Sequence, residues 1–237
     1  MLLTLPIRDV LPGTPRARVV RVDLGGRAFT YAPGQAVLVA AQGQPTRKPY
    51  SIAASPEDAA RDGWIELLVG VDDQGVAGPH LSLEPGALVD VEGPVGTFTF
   101  PSEPAERRFV FIAGGTGIAP LRAMLRHALA IPHREVGLVY SARTPDDFAY
   151  EQELRELARE RRIELRQTIT RTGGDAAWAG GRGRIGRAEL EPLVHDPATL
   201  CFVCGPQTLV DGTTKLLQEL GVPRARIRVE EWPATSP

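Results

Sequence analysis

Cysteine is scarce in this chain, and its scarcity excludes several kinds of redox and metal centre. The 237 residues include two cysteines, Cys201 and Cys204, fewer than a thiolate-bound iron–sulfur cluster needs. They lie in an apolar segment with the pattern of a buried strand, where side chains at this spacing point to opposite faces. A disulfide between them is therefore not expected. The four histidines share no ligand spacing with each other or with the cysteines, so we expect no metal site.

The chain also lacks a large excess of charge of one sign and long apolar runs. The chain has 27 basic and 29 acidic side chains, and no segment masses the basic ones, so a nucleic-acid partner is not expected. No apolar run approaches the roughly 18 residues that a membrane-spanning helix needs. Residues 1–6 lack the charged start and the long apolar middle of a signal peptide. These observations predict no membrane span and a cytoplasmic location.

Short runs with β-strand composition dominate the chain before residue 103. Turns rich in glycine and proline separate these runs, which cover residues 18–24, 36–41, 50–54, 64–71 and 88–92. Such a series is typical of a small antiparallel barrel. We therefore predict an antiparallel β-barrel domain over residues 1–102, with a linker at 101–104.

Strands and helices alternate after residue 103. The predicted strands cover residues 109–113, 136–141, 163–170, 200–204 and 227–229. The predicted helices cover residues 118–129, 147–160 and 207–220. A βαβ rhythm of this kind produces a parallel sheet. We therefore predict an α/β domain with a parallel sheet over residues 103–237, in which residues 173–186 form a glycine-rich loop.

The first of these strands, at 109–113, runs directly into a glycine turn that opens a helix. Gly114, Gly115 and Gly117 permit a tight turn and a close approach of the backbone to a ligand. The unpaired N–H groups and the dipole of a helix N-terminus favour phosphate binding. Pro120 stands where the usual dinucleotide fingerprint has its third glycine, and proline suits a first helical turn. The segment predicts a nucleotide site outside the ordinary Rossmann pattern, with a glycine loop between core elements as the alternative.

Five short motifs occur in an order that resembles one family. They are Arg47-Lys-Pro-Tyr-Ser51, Gly93-Pro-Val-Gly96, Gly114-Gly-Thr-Gly-Ile-Ala-Pro120, Cys204-Gly-Pro206 and Glu230-Glu-Trp232. Together they resemble the ferredoxin-NADP reductase superfamily over almost the whole chain. The resemblance implies two domains, an antiparallel β-barrel flavin-binding domain followed by an α/β parallel-sheet NAD(P)-binding domain. It also implies FAD as cofactor, with FMN as the alternative, and NADPH or NADH as co-substrate.

The resemblance assigns the flavin contacts mainly to the barrel. Tyr50 is expected to pack along the isoalloxazine ring, or simply within the barrel, and Ser51 to lie near flavin N5. Lys48 stands where the family has a phosphate-binding arginine, so this contact passes to Lys48 or to Arg47. Gly78 replaces the family's Ser or Thr at the start of a short helix against the flavin phosphates, or lies in a plain turn. The expected flavin contacts are Arg47, Lys48, Pro49, Tyr50, Ser51, Ile52, Val69, Val71, Gly75, Val76, Ala77, Gly78 and Trp232.

The resemblance places the nicotinamide in the second domain. Thr116 is expected near it, and Cys204 lines the pocket as a polarizable contact, with a buried structural thiol as the alternative. Glu230 matches a family carboxylate that assists proton supply, and Ser51 is expected to relay a proton to flavin N5. The expected catalytic residues are thus Ser51, Cys204 and Glu230, in a hydride transfer from nicotinamide C4 to flavin N5 that depends on positioning.

The 2′ end of the dinucleotide is expected beyond the second and third strands of the sheet. Arg143 and Arg171 follow these strands, and a guanidinium favours a 2′-phosphate. Arg171, and Arg182 and Arg184 in the glycine-rich stretch, are each either such a contact or part of a solvated loop. No carboxylate directly ends the strand at 136–141 to bind a ribose 2′-hydroxyl, which favours NADPH over NADH. Asp146 or Asp147 is nevertheless close enough in sequence to fold back to this position. The expected dinucleotide contacts are Gly114, Gly115, Thr116, Gly117, Pro120, Ser141, Arg143, Thr170, Arg171, Cys204, Gly205 and Pro206.

The electron acceptor is expected to be a separate molecule, because the chain lacks the cysteines of a fused iron–sulfur domain. A ferredoxin, an oxygenase component and free flavin are the candidates. Two other functions stay open at this point. One is a flavin reductase that uses free FMN or FAD as substrate. The other is a non-catalytic nucleotide-binding electron-transfer subunit, which the departures at Lys48 and Gly78 keep open.

Overall fold

The computed structural model describes residues 1–171 and 177–230, which form two six-stranded sheets. The strands of the first sheet are β1 (Leu2–Thr14), β2 (Ala17–Asp23), β3 (Ala36–Ala41), β4 (Lys48–Ser51), β5 (Trp64–Gly70) and β6 (Leu88–Val95). Their order is β4-β3-β6-β1-β2-β5, and all neighbours are antiparallel. A bridge between Ile52 and Leu67 joins the chain after β4 to β5, so the two edges of the sheet meet. The predicted antiparallel barrel is confirmed.

Alternating side chains of these strands fill the barrel. In β2, Val20 and Val22 are buried, whereas Arg21 and Asp23, which alternate with them, are partly exposed. This period of two is what a strand with one apolar face requires. The fully buried core of the barrel includes Leu5, Ile7, Val37, Ile52, Ile65, Leu67, Val69 and Val91.

Strand β1 departs from the sequence prediction, which has no strand before residue 18. Pro6, Pro12 and Gly13 interrupt its apolar alternation, and its pairing with β2 shifts register at two points. A proline within an apolar run usually indicates an edge or a loop. The pattern therefore hides a strand that pairs on both sides, with β2 and with β6.

Two local features of the first domain were not fixed by its sequence pattern. Helix α1 (Pro56–Asp62), which was not predicted, begins after Ser55, whose side chain accepts a hydrogen bond from the Asp58 N–H. At Gly78 the structure has a turn, the alternative to a short helix, in which the Leu81 N–H donates to the Gly78 carbonyl at 3.4 Å. Gly78 has a φ of +94°, which glycine adopts easily and which interrupts a right-handed helix.

The second sheet is parallel throughout. Its strands are β7 (Arg108–Gly114), β8 (Glu135–Ala142), β9 (Glu164–Ile169), β10 (Gly181–Arg182), β11 (Leu200–Cys204) and β12 (Ile227–Val229). The helices beside it are α2 (Ile118–Ala130), α3 (Glu151–Arg159), α4 (Arg187–Leu190) and α5 (Gln207–Glu219). The predicted parallel α/β sheet is confirmed, but β10 pairs with β9 inside the segment predicted as a loop. Among the described helices, none combines the length and the apolar character that a bilayer crossing requires.

Strand order in the second sheet creates a crevice beside β7. The order is β10-β9-β8-β7-β11-β12, so the chain winds outward from β7 through β8 and then returns to β11 on its other side. Ligands of such sheets bind at this reversal, outside the carboxyl ends of the strands. Cys204, the last residue of β11, pairs with Ala113, so it lies beside the glycine turn after β7.

Helix α2 fastens the second sheet to the barrel through two arginines. Arg122 donates to the Ala53 carbonyl at 2.8 Å and to Glu66 Oε1 at 2.9 Å, both in the barrel domain. Arg126 donates to the Asp58 carboxylate of α1 from both Nε and Nη2, and the Nη2 hydrogen bond is 2.9 Å long. The first sheet ends at Val95 and the second begins at Arg108, and the domain boundary after residue 102 stays a prediction.

Candidate active site

A cleft of about 880 Å³ lies between the barrel and the carboxyl ends of the second sheet. Both domains contribute residues to its wall. A site where a flavin on the barrel meets a nicotinamide on the sheet needs this arrangement. Fifteen predicted site residues line it: Pro49, Tyr50, Ser51, Gly114, Gly115, Thr116, Gly117, Pro120, Ser141, Arg143, Thr170, Cys204, Gly205, Pro206 and Glu230.

Glu230 joins the two sides of this cleft. The Cys204 thiol donates to Glu230 Oε2 at 2.6 Å, and the Ser51 hydroxyl donates to Oε1 at 3.4 Å. The Glu230 N–H donates to the Val203 carbonyl, so the end of the chain's last described segment is fixed beside β11. The three predicted catalytic residues, from distant parts of the sequence, thus lie in one hydrogen-bonded group.

Cys204 is held in its neutral form. Burial raises the pKa of its thiol. The neighbouring Glu230 carboxylate raises this pKa further, by charge repulsion and by accepting a hydrogen bond from the thiol. A thiol with a raised pKa is a poor nucleophile. In this cleft Cys204 therefore acts as a hydrogen-bond donor and a polarizable wall.

The glycine turn fits closely against the end of β11. A Cβ placed on Gly117 would lie 2.5 Å from the Cys204 carbonyl oxygen, and one on Gly114 would lie 2.7 Å from Leu209 Cδ1. Gly115 adopts a φ of +55°, and Tyr140 Oη donates to its carbonyl at 3.0 Å. No side chain caps the N-terminus of α2, which begins directly after these glycines, and the Ile118 N–H donates to the Gly115 carbonyl. This cradle fits a dinucleotide phosphate.

Several cleft residues were not found by sequence reasoning. Thr14, Arg16 and Ala17 come from the β1–β2 hairpin, which the prediction lacks because β1 is hidden by its prolines. Of the three candidate arginines, Arg171, Arg182 and Arg184, the last lines the cleft and the other two lie outside its lining, which spacing alone does not reveal. Asp147, one of the two carboxylates expected to be able to fold back, also lines the cleft. The remaining unpredicted lining residues are Leu68, Gly70, Ala119, Tyr140, Ala142, Ala149, Ile185, Thr208, Leu209, Gly212, Thr213 and Leu216.

An ion pair crosses the cleft between the two domains. Arg16 in the hairpin binds both oxygens of Asp147 at 2.7 Å. Burial raises the pKa of Asp147, but the hydrogen bonds from Arg16 and Thr144 outweigh burial and hold this pKa below its usual value. Asp147 is therefore a charged and occupied carboxylate in this structure.

Other predicted flavin contacts lie outside the lining of this cleft. Arg47 is bound to Glu92 at 3.3 Å and to Asp90 at 3.8 Å, whereas Lys48 is exposed. Ile52 and Val69 are fully buried side chains of the barrel core. Val71, Gly75, Val76, Ala77 and Gly78 lie in and beside the turn that follows β5. Trp232 falls outside the described residues.

Tyr50 has a neighbour that sequence reasoning assigned no role. Its Oη lies 2.7 Å from His80 Nε2, and the planes of the two rings differ by 9°. Burial raises the pKa of Tyr50 to about 12. The other ring nitrogen of His80, Nδ1, is buried and has no hydrogen-bond partner among the described residues. Such an orphaned polar atom beside Tyr50 fits a polar ligand group that binds there.

Comparison with protein families defines the class of this chain. Residues 14–100 match the family described as "Oxidoreductase FAD-binding domain", and residues 111–215 match "Oxidoreductase NAD-binding domain". The two matches fall on the barrel and on the parallel sheet. The protein is a two-domain oxidoreductase whose cofactors are FAD and a nicotinamide dinucleotide.

Relatives define the family more closely. "Ferredoxin--NADP reductase B" of Sorangium cellulosum is 34% identical over 238 residues, with 95% of this chain and 94% of the relative covered. "Glycine betaine monooxygenase reductase subunit" of Pseudomonas aeruginosa is 30% identical over 220 residues, which cover 88% of this chain but 58% of the relative. The chain belongs to the ferredoxin-NADP reductase superfamily and is an NAD(P)H-dependent flavoprotein reductase.

Two solved structures have the same fold. The ferredoxin reductase in carbazole 1,9a-dioxygenase has a TM-score of 0.80 at 26% identity, with 97% of this chain and 68% of that chain covered. The Amycolatopsis cytochrome P450 reductase GcoB has a TM-score of 0.82 at 28% identity, with 99% and 71% covered. Both neighbours are named as reductases of oxygenase systems.

Proposed function

We propose that this protein oxidises NADPH, transfers the hydride to bound FAD, and passes the electrons to a separate ferredoxin or oxygenase component. The observation that carries the proposal is the group formed by Ser51, Glu230 and Cys204, which links the flavin side of the cleft to the dinucleotide side. The names of the relatives, a ferredoxin reductase and the reductase subunit of a monooxygenase, support the acceptor class.

The residues of this group hold the reacting rings in position. Bound nicotinamide would supply a hydride at C4, and bound flavin would accept it at N5. Ser51 offers a hydroxyl on the flavin side that would donate a hydrogen bond to N5, while the hydride itself brings the hydrogen that N5 gains. Glu230 accepts hydrogen bonds from that hydroxyl and from the Cys204 thiol, which fixes both in position. Cys204, kept neutral by burial and by Glu230, shapes the pocket without forming a bond to the substrate.

The preference for NADPH over NADH rests on the end of the cleft beyond β8 and β9. Arg143 and Arg184 line this end, together with Ser141 and Thr170, whose hydroxyls bond to Thr168 and to the Ala142 carbonyl. Two guanidinium groups suit a 2′-phosphate. A ribose 2′-hydroxyl is usually bound by a carboxylate, and the one beside this end, Asp147, is occupied by Arg16.

A flavin reductase that releases its flavin is the second candidate, and one observation favours it. Arg47, which is a potential anchor for a flavin phosphate, is bound to Glu92 and Asp90 instead. The exposed Lys48 supplies a point charge without the two parallel hydrogen bonds of an arginine. A weaker hold on the phosphate would let flavin exchange as a substrate.

Anaerobic reduction of the purified protein separates these functions. We expect a yellow protein whose flavin absorbance bleaches faster with NADPH than with NADH, and which is reoxidised by a ferredoxin or an oxygenase component. Turnover that rises with added FMN, from a protein that loses its flavin on gel filtration, would favour the flavin reductase. A colourless protein that binds dinucleotide without turnover would overturn both candidates and leave a non-catalytic subunit.

A further inference from the structure

The turn after β5 and strand β4 bring three side chains together on the barrel outside the hydride-transfer group. His80 is buried against Tyr50, and Lys48 lies near enough for its charge to act on the imidazole. The backbone of His80 is also fixed, because its carbonyl accepts the Ala41 N–H at 2.7 Å. The imidazole therefore has a defined position beside the residue expected to face the flavin ring.

The hydrogen bonds of Tyr50 determine which nitrogen of His80 carries the proton. The phenol is protonated, and His80 Nε2 is the hydrogen-bond partner that the described residues give it. If the phenol donates to Nε2, its proton is satisfied and the imidazole proton is placed on Nδ1. Burial, and after it the charge of Lys48, lowers the pKa of His80, so the ring is neutral at pH 7 and carries one N–H.

That N–H group is left without an acceptor. Nδ1 is buried and unpartnered among the described residues, and a buried donor without a partner is unfavourable. Gly78 lies beside this nitrogen, since a Cβ placed on it would be 3.5 Å from Nδ1. Binding of a ligand at Nδ1 therefore requires this segment, which has no regular secondary structure, to move away from the imidazole.

The charges around this N–H select an anionic acceptor. Lys48 is exposed and has no described ion pair, while Arg47 beside it is bound to Glu92 and Asp90. FAD and FMN both carry a phosphate on the chain that extends from the ring. We propose that His80 is a flavin-binding residue, which holds Tyr50 through Nε2 and donates from Nδ1 to a phosphate oxygen of the flavin.

The test measures flavin binding and needs neither nicotinamide nor acceptor. The inference rests on FAD binding and not on the proposed electron acceptor, so a failure of the proposed function leaves this result readable. Apoprotein is titrated with FMN and with riboflavin, which differ only in the phosphate, and flavin fluorescence reports the dissociation constant. His80→Gln places its amide near Nε2 and leaves nothing at Nδ1, whereas His80→Asn places its amide near Nδ1.

We expect His80→Gln to weaken FMN binding by at least about tenfold, the scale of one hydrogen bond to a charged acceptor, with riboflavin binding unchanged. His80→Asn should retain the preference of the wild-type protein for FMN over riboflavin. A partly unfolded variant lowers both apparent affinities by the same factor, so the FMN-to-riboflavin ratio still reports the contact. The proposal is overturned if this ratio in His80→Gln equals that of the wild-type protein, or if His80→Asn loses the preference while His80→Gln keeps it.

Discussion

Arg122 of helix α2 lies 2.9 Å from Glu66 of strand β5, and this ion pair is buried at the contact between the two domains. The Glu66 side chain is 2% exposed and also binds Arg21 at 3.0 Å. Arg122 in turn binds Glu153 at 2.8 Å and packs over the Tyr150 ring. The pair joins the barrel, which contributes Ser51 to the cleft, to the domain of the parallel sheet, which contributes Cys204.

Loss of the buried carboxylate should weaken the whole fold. Glu66→Gln keeps the volume but leaves Arg21 and Arg122 without this charge partner. We expect the free energy of unfolding to fall by about 2 to 3 kcal/mol, near the lower end for a broken buried pair because Glu153 still neutralises Arg122. Denaturant unfolding measures the change. Glu191→Gln, which breaks an exposed pair with Arg187, should change it by less than about 0.5 kcal/mol, and equal effects would contradict the assignment.

Removal of the Ser51 hydroxyl should slow chemistry before it affects cofactor binding. In Ser51→Ala we expect reduction of the flavin by NADPH to slow by about 100-fold, the usual effect of losing a hydrogen-bond donor aimed at the reacting atoms. FAD retention should be unchanged, because the hydroxyl contacts Glu230 and not the phosphate region. Stopped-flow absorbance gives the rate, and Ser82→Ala, at an exposed position, is the control. Unchanged reduction would show that Ser51 has no part in the hydride transfer.

The thiol of Cys204 should titrate far above neutral pH. Burial and Glu230 raise its pKa, so the reactive thiolate is absent at pH 8 and appears only as the pH rises. Glu230→Gln removes the neighbouring negative charge, which should lower this pKa and speed alkylation at any given pH. The alkylation rate against pH is measured in a Cys201→Ser background, so that the second thiol does not contribute.

A surface carboxylate provides the control for that experiment. Glu219→Gln, at an exposed position beside Lys215, should leave the profile of Cys204 unchanged. If Glu230→Gln also leaves it unchanged, burial alone sets the pKa and the hydrogen bond from the thiol to Glu230 is not significant.

Arg184 should distinguish the two dinucleotides. We expect Arg184→Ala to raise the KM for NADPH by at least about tenfold through the loss of a charged hydrogen bond to the 2′-phosphate. The KM for NADH should change little, since that dinucleotide lacks the phosphate. Arg187→Ala, outside the cleft and paired with Glu191, is the matched control. An equal increase for both dinucleotides would place Arg184 on another part of the ligand.

Residues within the short motifs were predictable because each motif lies on a single turn or strand end. Gly114, Gly115 and Gly117 share one turn, and Cys204 ends an apolar run, so sequence neighbours stay neighbours in space. Arg16 was not predictable in this way, because it lies in a hairpin whose strand is interrupted by prolines. Arg184 could not be separated from Arg171 and Arg182, because it follows a short strand that the prediction lacks.

The amino-acid sequence by itself determined the two kinds of sheet, because the period of apolar residues and the placing of glycine and proline are local properties of the chain. It also determined the residue types of the site. Tertiary structure alone decided which of these residues meet. Ser51 and Cys204 both donate to Glu230, Arg16 binds Asp147, and Tyr50 is hydrogen-bonded to His80. These contacts join segments far apart in the chain, and their geometry depends on how the barrel packs against the parallel sheet, which no local pattern encodes.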